Sequence, residues 1–243
     1  IWVPAGAVHC PPSGSALLGH WGGQWTSNGM GAHPKQQPAL RHALLEAIER
    51  DQLARALPTF WTRAAVAARM LARSTWSLLP RTNRQAARIE TGGFDIALFD
   101  LTPSRNLGLP VAGALLMDRE RGPVPLTAGY ACAFDRDSAC LSALLEAAQS
   151  RLTDVHGARE DGATAPLSDV DALREFCQRA KPRRSAAAMP DNTVRRGAEV
   201  TTLVRRLRRA GHHRIAAISL APAETGFSVE KVIIPGLLLS ELL

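Results

Sequence analysis

Glu46 and Glu49 lie three residues apart in A-L-L-E-A-I-E-R (43–50), and a hundred residues later A-L-L-E-A-A-Q-S-R (143–151) repeats the spacing with Glu146 and Gln149. On a helix, positions three apart share a face, with Cβ atoms roughly 5–6 Å apart, so each segment presents a polar pair. The leucines and alanines between them are expected to point the other way, into a core. Two carboxylates this close repel unless a cation or an arginine intervenes. Mg²⁺ suits them, because it takes carboxylate oxygens alongside substrate phosphates. In the first helix His42, Glu46, Glu49 and Arg50 fall on one face, and Arg50 could grip a phosphate with its forked guanidinium. The plainer reading of that face is a surface salt bridge from Glu46 to Arg50. Ser142, Glu146 and Gln149 repeat the geometry with one charge fewer, and Arg151 follows. The echo suggests one site to which both helices contribute.

Other chemistry is sparse. No G-x-x-x-x-G-K-[ST] occurs, so a nucleotide here would be held by carboxylate-bound metal and arginines rather than a phosphate-cradling loop. No Ser-His-Asp arrangement stands out, and the adjacent His212 and His213 read as a solvated loop pair. Cys10, Cys132, Cys140 and Cys177 lack C-x-x-C spacing. They read as buried thiols of a reducing cytoplasm, not as disulfides or structural zinc ligands. The net charge is +7, but only three of the 29 basic residues are lysine and aromatics make up 5%. Stacking platforms are poorly supplied, so a nucleic-acid partner is not expected.

The elements that must position these residues read as mixed α+β in one domain spanning 1–243, not a doubly wound sheet. Residues 1–37 are rich in Gly, Pro, Ser and Trp, with Gly29 and Gly31 just before the first motif helix. Those glycines either let backbone approach a ligand or make a plain turn. Helices are expected from Pro38 to near Pro58 and over 62–78, 81–90 and 167–180. Strand-like runs are 94–100, 109–117 (broken by Pro110), 129–134, 214–220 and 227–234. Asp135 or Asp137 can cap the second motif helix, which runs through Leu141, Leu144, Leu145, Ala148 and Leu152. Residues 181–197 read as a mobile loop. Helix 198–210 spreads Arg205, Arg206, Arg208 and Arg209 around most of its surface, so a solvated face is expected. No run reaches membrane-spanning length and no signal peptide is visible, which points to the cytoplasm. The chain opens at Ile1 rather than Met, so an upstream segment is expected to be missing.

S-N-G-M-G-A followed by A-L-L-E-A-I-E-R-D resembles the YcaO family, whose members carry S-N-G-x-A-A-G and then L-L-E-x-x-E-R-D. S-A-L-L-E-A-A-Q-S-R-L with G-A-R-E-D is similar to the family's second helix and Arg loop, and V-I-I-P-G-L (232–237) to its closing strand and turn. The resemblance spans nearly the whole chain in the family's order. It implies an ATP- and Mg²⁺-dependent modifier of ribosomally made precursor peptides. A Cys, Ser or Thr side chain of the peptide attacks the preceding amide carbon. The amide-derived oxygen is phosphorylated by ATP, and loss of phosphate leaves a thiazoline or oxazoline. By motif match, Glu46 and Glu49 are metal-side carboxylates and Arg50 a phosphate contact. Ser142, Glu146, Gln149, Arg151 and Arg159 fall to the nucleotide site. A separate partner that binds the peptide's leader, ubiquitin-activating-like or of TfuA type, is implied, and a homodimer fits.

Three departures qualify the match. The family's S-x-x-x-E-x-x-E-R helix lies upstream of Ile1, so part of the Mg-nucleotide site is expected to be missing. Pro34 and Pro38 stand where an Asn and an acid are usual, and Leu238 replaces the acid of P-G-L-E. Besides the azoline-forming cyclodehydratase, two alternatives therefore stay open. One is TfuA-assisted thioamide formation; the other is a catalytically weak scaffold that binds a peptide or partner.

Overall fold

Short, largely apolar strands build two antiparallel sheets, each packed against one of the motif helices. The computed structural model describes residues 3, 5–8, 26–58, 61–156, 167–182 and 184–238. In chain order, α1 (Ala5–Val8) precedes β1 (Met30–His33) and α2 (Gln36–Ala56), and α3 (Arg63–Arg69) and α4 (Pro80–Thr91) follow. Strands β2 (Phe94–Asp100), β3 (Val111–Asp118) and β4 (Leu126–Cys132) lead into α5 (Arg136–Val155), α6 (Leu167–Arg179) and α7 (Glu199–Arg209), before β5 (Ala216–Ser219) and β6 (Ser228–Ile233). The expected α+β class holds.

Contacts divide the described residues into two units, one joining those up to Asp51 with those from Val194 onward, the other holding Gln52–Thr193. In the first unit the sheet order is β1-β6-β5, all antiparallel, with Met30 opposite Lys231. In the second it is β2-β3-β4, also antiparallel. Strand β3 is buried along its whole length, which is why V-A-G-A-L-L-M reads as a continuous apolar run rather than an alternating one. It begins after Pro110, whose ring cannot donate to a ladder. Small residues dominate the interface with α5: Ala112, Ala114 and Ala131 of the sheet meet Ala139, Cys140, Ala143, Leu144 and Ala147 of the helix. Low side-chain volume on both sides lets helix and sheet pack closely.

Asp135 caps α5, its side chain accepting from the Ser138 N–H, while Asp137 in the first turn of α5 caps α4 instead. The Asp137 carboxylate accepts the backbone N–H groups of Arg81 and Thr82 at 3.1 and 3.0 Å, together with Arg81 Nε and the Thr82 hydroxyl. It thereby satisfies donors that a helix start leaves orphaned.

Three expectations are corrected. The helix expected over 62–78 stops at Arg69. Met70 and Leu71 then extend to bridge Phe99 and Arg184, and a 3₁₀ turn (Arg73–Leu78) follows. Tertiary pairing, with Leu71 N–H donating to the Leu98 carbonyl at 2.8 Å, overrides the helical pattern. Within the segment expected to be a mobile loop, residues 184–192 are pinned instead, while 195–197 are exposed. Ala186 and Met189 are buried, Arg184 pairs with Asp100 at 2.6 Å, and Asn192 donates to the carbonyls of Gly108 and Phe134. Leu145 and Leu152 do not enter the core but are 47% and 60% exposed, because only the 139/140/143/144/147 stripe of α5 faces the sheet.

Candidate functional site

In the first unit the site grows from the turn before β1. Lys231 on β6 is 2% exposed, and its Nζ donates to the carbonyls of Thr26 and Asn28, both at 2.7 Å. That fastens the S-N-G turn to the middle strand of the sheet. Gly29 (φ 76°) would place a Cβ 2.5 Å from the Val232 carbonyl oxygen, and Gly31 one 2.2 Å from that of Ala39. Both glycines therefore serve close approach, but of the chain's own strand and helix, which neither the ligand nor the plain-turn expectation named.

This contact brings the β1 backbone within reach of α2. Glu46 Oε2 accepts the Met30 N–H at 3.1 Å, while Oε1 lies 3.8 Å from the Arg50 guanidinium. Burial pushes the Glu46 carboxyl above its ordinary range; Arg50, His42, the Met30 N–H and Lys231 pull it part of the way back. A carboxylate held in this state gains from a further cation. Glu49, one turn on, is buried at 9% exposure. Among the described residues of this unit, two buried side-chain atoms have no hydrogen-bond partner: Arg50 Nε, a donor, and Asn28 Oδ1, an acceptor. Behind the site the closing turn is tied to α2, with Leu238 N–H donating to Asp51 Oδ1 at 2.9 Å.

In the second unit the arrangement recurs. Gly129 would place a Cβ 2.3 Å from both the Ala143 carbonyl oxygen and the Ala147 nitrogen, so β4 lies directly on α5. Glu146 Oε2 accepts the Tyr130 N–H at 3.3 Å, across the same sequence separation of 16 that parts Glu46 from Met30. Ser142 and Gln149 are exposed on the same face and Glu146 is half-buried. The Tyr130 hydroxyl accepts from Trp61 Nε1 at 2.9 Å, and the Trp61 ring leans on Phe99 with centroids 4.7 Å apart.

Arg151 is engaged elsewhere. It pairs with Asp118 at 2.7 Å, donates to the Val124 carbonyl and lies over the Phe94 ring at 4.9 Å. Its guanidinium holds the β3–β4 turn against α5. Arg159 lies outside the described residues, as do Cys10 and the W-G-G-Q-W segment. Cys132 and Cys140 are buried and Cys177 half-buried, all three as thiols rather than disulfides. Burial raises the thiol pKa of Cys140, and that of Cys177 to about 11, so neither is a ready nucleophile.

Among the described residues no three His, Cys, Asp or Glu side chains cluster closely enough to hold a metal by themselves. A phosphate-bridging Mg²⁺ needs no such cage, since it keeps waters and takes one or two carboxylates plus phosphate oxygens. The hard oxygen donors of Glu46 and Glu49 and the unpartnered Arg50 Nε fit a cation with its phosphate. Sequence reading missed Lys231 and Asn28. The signal for Lys231 was a charged pair, Glu230–Lys231, inside an apolar strand of a chain with only three lysines.

Among the described residues no helix is long and apolar enough to cross a membrane. A protein from Methanothermobacter thermautotrophicus described only as uncharacterized is 29% identical over 258 residues, covering 97% of this chain and 61% of the relative. The structure of YcaO from Methanopyrus kandleri bound with AMPPCP and Mg²⁺ superimposes with a TM-score of 0.69 at 21% identity, over 96% of this chain and 59% of that one. A heterocyclase in complex with substrate and cofactor gives 0.66 at 21% identity, over 89% of this chain and 29% of that one. The chain thus spans about three-fifths of the length of its curated relative. Residues 1–238 match the family model described as YcaO cyclodehydratase, ATP- and Mg²⁺-binding. With the S-N-G turn, the Glu46 helix and its echo at Glu146 in the family's order, this chain belongs to the YcaO family.

Proposed function

We propose that this chain takes part in ATP- and Mg²⁺-dependent activation of a backbone amide in a ribosomally made precursor peptide, forming thiazoline or oxazoline rings. The observation that carries the reading is the half-buried Glu46 carboxylate, raised by burial, beside a buried Arg50 N–H without an acceptor. Glu46 and Glu49 are the metal-side groups in this proposal, and Arg50 the phosphate contact. Mg²⁺, when bound, supplies neutralisation of phosphate charge. The chain's own residues do the positioning. The Met30 N–H aims Glu46, Lys231 holds the turn that carries Asn28, and the glycines exclude side chains from the strand–helix contact. Ser142, Glu146 and Gln149 are proposed for the nucleotide side; the Arg151 guanidinium is assigned to packing instead, because Asp118 and Val124 already engage it.

The peptide substrate and a separate leader-binding partner, ubiquitin-activating-like or of TfuA type, are part of the same proposal. A second reading, a peptide-binding scaffold with weak or no turnover, is favoured by Pro34 and Pro38, which stand where the family's Asn and acid are usual, and by Leu238 in place of the acid of P-G-L-E. The test is Mg²⁺-dependent ATP binding by the protein, alongside Glu46→Gln/Glu49→Gln. Binding lost in the double variant supports the enzyme; no binding by the wild type gives the scaffold the lead. Product mass then separates azoline formation, which loses water, from thioamide formation, which exchanges oxygen for sulfur.

A further inference from the structure

The segment 194–214 carries seven arginines against one acid, Glu199, and so accounts for nearly all of the chain's net charge of +7. Sequence spacing suggested arginines spread around α7. The fold sorts them. Thr202, Leu203 and Leu207 are buried, Arg206 is half-buried, and Arg205, Arg208 and Arg209 share the exposed face with Thr201 and Val204. These five residues line a shallow groove of about 330 Å³. Glu199, the one acid of the segment, faces Arg41 at 3.9 Å. Among the described residues the guanidinium groups of Arg205, Arg208 and Arg209 make no ion pair or hydrogen bond, and neither do those of the exposed Arg195, Arg196 and Arg214 nearby in sequence.

Three unpaired cations on one helix face repel each other, and this costs stability unless a partner supplies the missing charge. The groove itself is apolar in character, made by Val204 and by arginine stems that lie along the surface with their heads in water. We propose that this face of α7 docks an acidic stretch of the peptide substrate, remote from the reacting residue, with an apolar side chain over Val204 and carboxylates on Arg205, Arg208 and Arg209. The assignment rests on the peptide-substrate reading above. Arginine forks match carboxylates bidentately, which gives register as well as attraction. Nucleic acid fits less well. Arg205 to Arg209 spans only about 6 Å of helix axis, too short for the six to ten phosphate contacts of a strong binder. Nor does a phosphate backbone offer an apolar group for Val204.

The experiment uses the full chain and three fluorescent probes: a 16-residue Glu/Leu peptide, its Lys/Leu counterpart and a single-stranded oligonucleotide. The acidic peptide is expected to bind best. Arg205→Gln/Arg208→Gln/Arg209→Gln weakens it by about tenfold, and Val204→Ser by about threefold, with Mg-ATP binding unchanged and the melting temperature not lowered, since the triple variant relieves the repulsion. Joining the acidic segment to a Cys-containing peptide then lowers KM and leaves kcat, an advantage the triple variant erases. Equal affinity of wild type and triple variant overturns the proposal. So does tighter oligonucleotide binding that Val204→Ser does not touch, or an acidic segment that binds yet never lowers KM, the behaviour of a partner protein's tail. If the wild type binds the acidic probe through these arginines but binds no Mg-ATP, the catalytic reading falls while the docking face stands.

Discussion

The Glu46 and Glu146 arms share a scaffold and differ in electrostatics. In each, an edge strand runs into a long helix, and a glycine lets the strand backbone touch the helix backbone. In each, a glutamate one face over accepts a strand N–H across a separation of 16 residues. The surroundings then diverge. Glu46 has Glu49 buried one turn away, with Arg50, His42 and Lys231 acting on it. Glu146 has the exposed Gln149 at the matching place, Ser150 where the first arm has Arg50, and Tyr130 on the strand. A repeated strand–helix joint can hold a carboxylate in one attitude. The side chains placed around that joint set its charge state, and so what it can bind.

The largest expected effect comes from the carboxylates themselves. Glu46→Gln lowers Mg²⁺-dependent ATP consumption by at least ~100-fold, whereas Glu146→Gln costs about tenfold. The amide still accepts the Met30 N–H and removes a costly buried charge, so the melting temperature at pH 7 does not fall. Equal losses from the two substitutions would erase the functional asymmetry between the arms.

The joints come next. Gly31→Ala and Gly129→Ala each force a Cβ into helix backbone less than 2.5 Å away, where nothing flexible can yield. Each is expected to cost about 3 kcal/mol, read as a drop in denaturant midpoint. A neutral result at either position breaks the parallel at its structural root.

Arginines sharpen the comparison further. Arg50→Lys weakens nucleotide binding by about tenfold without a change in melting temperature, because a point charge does not replace a planar fork. Arg151→Lys does the opposite: it loosens the contacts to Asp118 and Val124, costing about 1 kcal/mol of stability, and leaves nucleotide affinity alone. Isothermal calorimetry beside thermal melts distinguishes the two.

The smallest effect is in pH. Burial raises the Glu46 carboxyl above its unfolded value, so the stability this favours is present at low pH and is lost as pH rises through the raised value. Burial alone would also raise Asp137, but the hydrogen bonds from Thr82 and Arg81 outweigh it and hold the group below its ordinary range. Its contribution is present above the unfolded value and lost as pH falls through the folded one. Glu46→Gln and Asp137→Asn should therefore change the acid side of the stability profile with opposite slopes, measured by urea unfolding between acid and neutral pH.

Much of this was legible beforehand. The strand-like apolar run in F-D-I-A-L-F-D placed β2 residue for residue, and Gly211 marked the end of α7 near where it occurs. The spacing of Glu46, Glu49 and Arg50 on one helical face followed from a 3.6-residue turn alone. Illegible were the contacts between residues far apart in sequence. Nothing local in M-L-A-R says that Met70 and Leu71 leave the helix to pair with Phe99 and Arg184. Nothing local in L-L-E-A-A says that Leu145 faces out while Leu144 is sealed.

By itself the sequence determined the periodicities, the family and the chemical types offered at each site, because those depend on covalent order and near-neighbour geometry. Only the tertiary structure decided what each group meets. Lys231 became the clasp of the S-N-G turn, Arg151 a strut rather than a nucleotide contact, and three of the α7 arginines a single face. Those outcomes rest on packing between strands and helices far apart in the chain, and burial then set the charge preference of the groups enclosed.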